Sequence, residues 1–147
     1  MHLLRVRRQL LSINLPDGYR LRVLDEVDST NAEAERLVAQ LAGPEWVLAR
    51  RQTNGRGRRG RAWSDPAGNF AASLVLFPQH PPDQIALRSF VAALALFDAL
   101  VATTGRSDAL ALKWPNDVLL NGGKVAGILL ETTALSGGGF ALTIGFG

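Results

Sequence analysis

The chain has 147 residues, 47% hydrophobic and 20% charged, with a formal net charge of +3 and a sequence pI near 10.2. That length and balance fit a single globular domain spanning 1–147 with a sizeable core. No cysteine is present, which excludes disulfides, thiolate zinc sites and a cysteine nucleophile; His2 and His80 lack partners at metal-ligand spacing, so no protein-held metal is expected.

In chain order, Met1 to Leu15 is broken by Arg5, Arg7 and Arg8 and lacks the apolar core of a signal peptide. Tyr19 to Leu24 alternates and reads as a strand. Asp28-Ser29-Thr30-Asn31 introduces a helix to about Leu41, with Thr30 and Glu33 as a capping box and Gly43-Pro44 as the stop. Trp46 to Arg50 is a short strand, Asn69 to Phe77 a buried one, and Pro78 to Pro82 a loop.

From Asp83 to Thr104 apolar residues recur at helical spacing on more than one side, predicting one helix packed in the core. Its most apolar part, Phe90 to Ala102, is too short to span a bilayer and carries Asp98. A cytoplasmic protein without membrane association is therefore expected. Leu110 to Lys113 and Val118 to Leu120 read as strands around a Trp114-Pro115-Asn116 turn. Asn121-Gly122 is a hairpin signal returning through Lys124 to Glu131, and after a turn at Leu135 to Gly139 a last strand runs from Phe140 to Gly147. The order predicts an α+β fold with a mixed, mainly antiparallel sheet and helices on one face. No repeat or shift in composition marks a second domain.

Charge is concentrated. Six of the fourteen arginines lie between Arg50 and Arg61, threaded through the glycines of Gly55-Arg56-Gly57-Arg58-Arg59-Gly60. The two lysines, Lys113 and Lys124, fall in Lys113-Trp114-Pro115-Asn116-Asp117 and in Gly122-Gly123-Lys124-Val125-Ala126-Gly127. A lysine kept in an arginine-rich chain suggests that a point charge is wanted there. The glycines let backbone amides approach a ligand while Arg56 and Arg58 offer forked donors to carboxylate or phosphate. These segments read as a small-molecule site for anionic groups.

Plainer readings stand beside this one. The Arg-Gly loop matches a dinucleotide fingerprint only in form, because loop chemistry rather than a helix follows it. It could be a solvated basic loop, or an RNA-binding tract, although it occurs once and only Trp63 accompanies it. Asp28 to Asn31 taken alone is a helix cap. Trp114 to Asp117 could be a plain turn, and Glu131 could simply meet solvent at the sheet edge.

Taken in order, Asp28-Ser29-Thr30-Asn31, Gln52 to Trp63, Lys113 to Asp117 and Gly123 to Glu131 closely resemble the catalytic domain of biotin protein ligases, the biotin–[acetyl-CoA-carboxylase] ligase family, from about Val23 to Gly147. The resemblance implies a mixed sheet flanked by helices, related to lipoate ligases and the class II aminoacyl-tRNA synthetase core. It implies formation of biotinyl-5′-AMP from biotin and ATP with Mg2+, then transfer of biotin to one lysine of a biotin carboxyl carrier protein. Lipoate, another acyl acid, or biotin binding without turnover are the alternatives.

Residue by residue, the resemblance implies that Ser29, Thr30, Asn31 and Gln52 hold the biotin ring system, with Gly55, Arg56, Gly57 and Gly127 adding contacts. Arg58 and Lys124 would flank the biotin carboxylate and the α-phosphate, Lys113 and Asp117 would organise the reacting centre, and Trp63 and Asn116 would meet the nucleotide. The family continues beyond the Ile144-Gly145-Phe146-Gly147 end, and its bifunctional members carry an N-terminal helix-turn-helix. A C-terminally shortened catalytic domain without DNA binding is thus expected, with an open last strand favouring a homodimer.

Overall fold

The computed structural model describes residues 13–147. The arginine-broken start as far as Ser12, with His2, lies outside the described residues. Seven strands form one sheet in the order β1-β2-β3-β7-β6-β5-β4. They are β1 (Arg20–Leu24), β2 (Glu45–Ala49), β3 (Ala71–Leu76), β4 (Leu110–Lys113), β5 (Asp117–Leu120), β6 (Gly123–Ala134) and β7 (Phe140–Phe146). The β1/β2 pair is parallel and the others are antiparallel, so the mixed, mainly antiparallel expectation holds.

The strands follow from alternation. In β7, Ala141 packs with Ala34, Leu37, Val47 and Val75, whereas its neighbour Leu142 packs with Ala92, Ala93, Ile128 and Ile144. Successive side chains point to opposite faces, so helix α1 (Thr30–Leu37) covers one face and α3 (Arg88–Thr104) the other. The expectation of helices on one face is therefore corrected: both faces of the central strands are apolar, and each needs a cover. The β5/β6 hairpin turns at Asn121 (φ 50) and Gly122 (φ 82), the left-handed pair that an Asn-Gly turn supplies.

Two further expectations change. The last strand is not open: β7 lies between β3 and β6, and among the described residues the sheet edges are β1 and β4. The predicted 83–104 helix divides into a short α2 (Pro82–Ile85) and α3, which ends at Gly105 in the left-handed conformation (φ 68) with its N–H bonded to Val101 O at 2.8 Å. Among the described residues only one side of α3 packs. Ala92 and Ala93 are buried against the sheet, while Leu87, Phe90, Val91 and Leu94 are exposed. The stretch Asp83–Thr104, 22 residues whose most apolar 18-residue window has a mean hydropathy of 2.0, is long and apolar enough by length and composition to cross a bilayer, where the Phe90–Ala102 core alone is not. Its inner side is committed to the sheet.

Candidate functional site

Helix α1 begins at the site. Ser29 is the N-cap, in extended conformation, its Oγ accepting from Ala32 N at 3.4 Å. The cap thus stands one residue before Thr30. The capping box expected on Thr30 and Glu33 does not form because Ala32 occupies the N3 position, and Glu33 pairs with Arg36 instead, 2.7 Å away. With the cap made by an acceptor lone pair, the Ser29 hydroxyl hydrogen stays free to donate to a ligand. The carboxylate of Asp28, just outside the cap, accepts from Ser29 N at 2.8 Å and from both Arg36 terminal nitrogens at 2.6 and 3.0 Å. Arg36 above all, with help from the Ser29 amide, lowers the Asp28 pKa from 3.8 to about 2 against a smaller desolvation effect.

Behind the cap lies a chain of buried polar side chains. Gln52 Oε1 accepts from Thr30 N at 2.8 Å and from Thr30 Oγ1 at 3.2 Å. Those bonds fix the amide so that Nε2 is its remaining donor. Ser73, fully buried on β3, contacts Thr30 Oγ1 at 2.8 Å and donates to Asn31 Oδ1. Asn31 Nδ2 donates to Glu131 Oε2 at 2.8 Å. Gly145 on β7 is needed here, because a Cβ at that position would overlap the Asn31 amide.

Across the sheet end, the Arg-Gly segment forms a small hairpin. Arg56 bridges Ala62, and Gly57 N donates to Arg61 O at 2.7 Å. Its tip, Arg58–Gly60, is one 3-10 turn with Arg59 (φ 59) and Gly60 (φ 70) left-handed. No helix follows, so the dinucleotide-fingerprint reading fails. From the tip, Arg58 Nη1 reaches Asn116 Oδ1 at 3.3 Å, and Asn116 Nδ2 is tied to Ile128 O at 2.6 Å. Lys124 Nζ lies 2.8 Å from Asp117 Oδ1 and 5.0 Å from the Trp63 ring centroid. Adjacent residues at the start of β5 therefore receive the two cations. Trp63 lies against Gly127 and Gly147, where added Cβ atoms would stand 3.1 and 2.7 Å from its indole.

These groups line a cleft of about 400 Å3 that is partly open to solvent. Twelve of the expected residues line it: Ser29, Thr30, Asn31, Gln52, Arg56, Gly57, Arg58, Trp63, Asn116, Asp117, Lys124 and Gly127. Two do not. Gly55 is buried beneath it, where a Cβ would come within 3.0 Å of Gln52 Nε2 and Trp63 O. Lys113 pairs with Asp117 in register and shares its face, but it is exposed on edge strand β4. Glu131, for which the plainer reading was solvent at a sheet edge, is half-buried and holds Asn31 and Arg56. Its strand is internal, and its partners come from α1 and from the loop. A charged residue within an apolar run was the available signal. Among the described residues no group of three His, Asp or Glu side chains is placed to hold a metal.

Residues 23–147 match the biotin/lipoate A/B protein ligase family. Over 125 residues the chain is 59% identical to the biotin–[acetyl-CoA-carboxylase] ligase of Paracoccus denitrificans, covering 85% of this chain and 52% of that protein. Biotin protein ligase from Leishmania major, solved with biotin, superposes with a TM-score of 0.73 at 28% identity, covering 90% of this chain and 56% of the other. Biotin protein ligase from Aquifex aeolicus, solved with biotin and ATP, gives 0.71 at 34% identity, covering 86% and 51%. The chain thus spans about half the length of the relatives it matches.

Proposed function

We propose that this chain, which belongs to the biotin/lipoate A/B protein ligase family, activates biotin with ATP and passes it to a lysine of a biotin carboxyl carrier protein. The observation that carries this reading is the cavity itself. The neutral polar side chains of Ser29, Thr30 and Gln52 and the Arg58 and Lys124 cations line one cleft of about 400 Å3, the size of an ordinary small-molecule site. The printed name of the Paracoccus relative and the ligands bound to the Leishmania and Aquifex proteins support it.

In this reading the Ser29 hydroxyl and Gln52 Nε2 donate to the ureido ring of biotin, whose carboxylate points towards the cations. A carboxylate oxygen attacks the α-phosphorus of ATP, the bond from that phosphorus to the β-phosphate bridging oxygen breaks, and pyrophosphate leaves. Arg58 and Lys124 offset the repulsion between carboxylate and phosphate as charge builds. The acceptor lysine amine then attacks the acyl carbon of biotinyl-AMP, losing a proton as AMP departs. Asp117 holds Lys124 in place, and Trp63 and Asn116 face the nucleotide. Mg2+ would enter with the phosphates of ATP, and Asp117 is the one carboxylate that the described residues contribute to the cavity lining. We place the reaction in the cytoplasm.

The test is biotin-dependent exchange of labelled pyrophosphate into ATP by this chain. Exchange above a no-biotin control is expected. Its absence while biotin still binds would replace adenylation with binding alone. Lipoate exchanging better than biotin would reassign the acid.

A further inference from the structure

Glu131 joins three parts of the molecule that are far apart in sequence. Its Oε2 accepts from Asn31 Nδ2 at 2.8 Å and from Arg56 Nη2 at 3.1 Å, contacts spanning 100 and 75 residues. The first partner stands on helix α1 beside the N-cap. The second is the base residue of the Arg-Gly hairpin, paired with Ala62. The tip of that hairpin carries Arg58 across to Asn116.

The geometry points to Glu131 as a positioning residue that latches the Arg-Gly hairpin over the cavity through Arg56. Three features support it. Glu131 is seated on internal strand β6, so the anchor is part of the sheet. Asn31 binds the same Oε2 oxygen and is itself fixed by Ser73, so the acceptor is already oriented when Arg56 arrives. Arg56 Nε is buried with no partner among the described residues, a cost that a strong contact at Nη2 offsets. The more distant Glu35, 3.7 Å from the same nitrogen and more exposed, cannot supply an equally fixed acceptor. Glu131 touches no reacting atom; it acts by holding the backbone that presents Arg58.

This role rests on the proposed adenylation for its catalytic consequence, but the latch can be tested without it. Trypsin cleavage after Arg58, Arg59 and Arg61 under native conditions reports opening of the hairpin. Glu131→Gln, which keeps the shape and removes the charge, is expected to raise that cleavage about threefold to tenfold, in keeping with a half-buried ion pair. Glu131→Ala should raise it further. In combination with Arg56→Gln the increase should be no larger than in either single variant, a non-additivity that general destabilisation would not produce.

Release of preformed biotinyl-AMP should quicken in the same order. Cleavage unchanged in folded Glu131→Gln overturns the latch. Faster cleavage with unchanged release overturns its part in retaining the adenylate. Should the parent chain bind neither biotin nor the adenylate, the functional reading fails while cleavage still decides the latch.

Discussion

Lys124 Nζ and Asp117 Oδ1 stand 2.8 Å apart, one residue along from the Arg58 contact on Asn116. The β5/β6 hairpin thus holds the point charge while the Arg-Gly hairpin brings the forked one. Because Lys124 is 42% exposed, its ion pair adds no more than about 1 kcal/mol to stability. Its weight lies in the charge it presents to two anions. Lys124→Ala should therefore lower pyrophosphate exchange by about 10²- to 10³-fold, the usual effect of losing one preorganised charge-stabilising group. Thermal unfolding should move little. A variant that unfolds early, or one that exchanges normally, would remove Lys124 from this role.

Gly145 offers a sharper structural test. An alanine Cβ would overlap the Asn31 amide, so either β7 or Asn31 must move, and moving Asn31 breaks its bonds to Ser73 and Glu131. Gly145→Ala is expected to cost about 1–3 kcal/mol, as overpacking of a tight interior does. Chemical denaturation would measure it. Loss of biotin binding should accompany the shift, since Thr30 and Gln52 belong to the same network. Parent-like stability would mean that Asn31 has room that its bonding partners do not suggest.

How far the chain could be read in advance depended on the range of the interactions concerned. Strands, the Asn121-Gly122 turn and the Arg-Gly loop are local in origin, carried by alternation and by turn chemistry, and they were legible to within three residues, the widest miss being β6, which runs on past Glu131 to Ala134. Sheet order was not. That β7 inserts between β3 and β6 depends on pairings with residues far away in sequence, so the last strand read as open when it is central. The break at Ala86–Leu87 has no glycine or proline of its own, only Pro81 and Pro82 a turn earlier. Hydropathy alone overstated the burial of α3, because Leu87, Val91 and Leu94 are apolar and exposed. Glu131 was missed for the same reason as the sheet order, as its partners are long-range.

Ser29 serves both the helix and the cavity, and two substitutions separate those roles. Ser29→Ala removes the cap and should cost about 1 kcal/mol of stability; Ser29→Gly, a tolerated N-cap, should cost only a few tenths. Both remove the hydroxyl donor. Stability should therefore differ between the variants while biotin affinity falls equally in both, a pattern that calorimetry and denaturation can read side by side. If affinity instead follows stability, the hydroxyl is only a cap.

Asp28 links the same helix start to pH. Its folded pKa is held near 2 by Arg36 and the Ser29 amide, below the ordinary 3.8. As pH falls, the unfolded chain takes up this proton first, so the contribution of Asp28 is complete above 3.8 and is lost as pH drops towards 2. Both partners are about half exposed, so solvent screening keeps the effect small. The expected signature is a stability difference between the parent and Asp28→Asn that is constant from neutral pH down to about 4 and closes between there and about 2. Denaturant midpoints taken across that window would show it. A difference that stayed constant through the window would mean that Arg36 gains as much from an amide as from the charge, leaving the ion pair no part in holding the α1 N-terminus against the cavity.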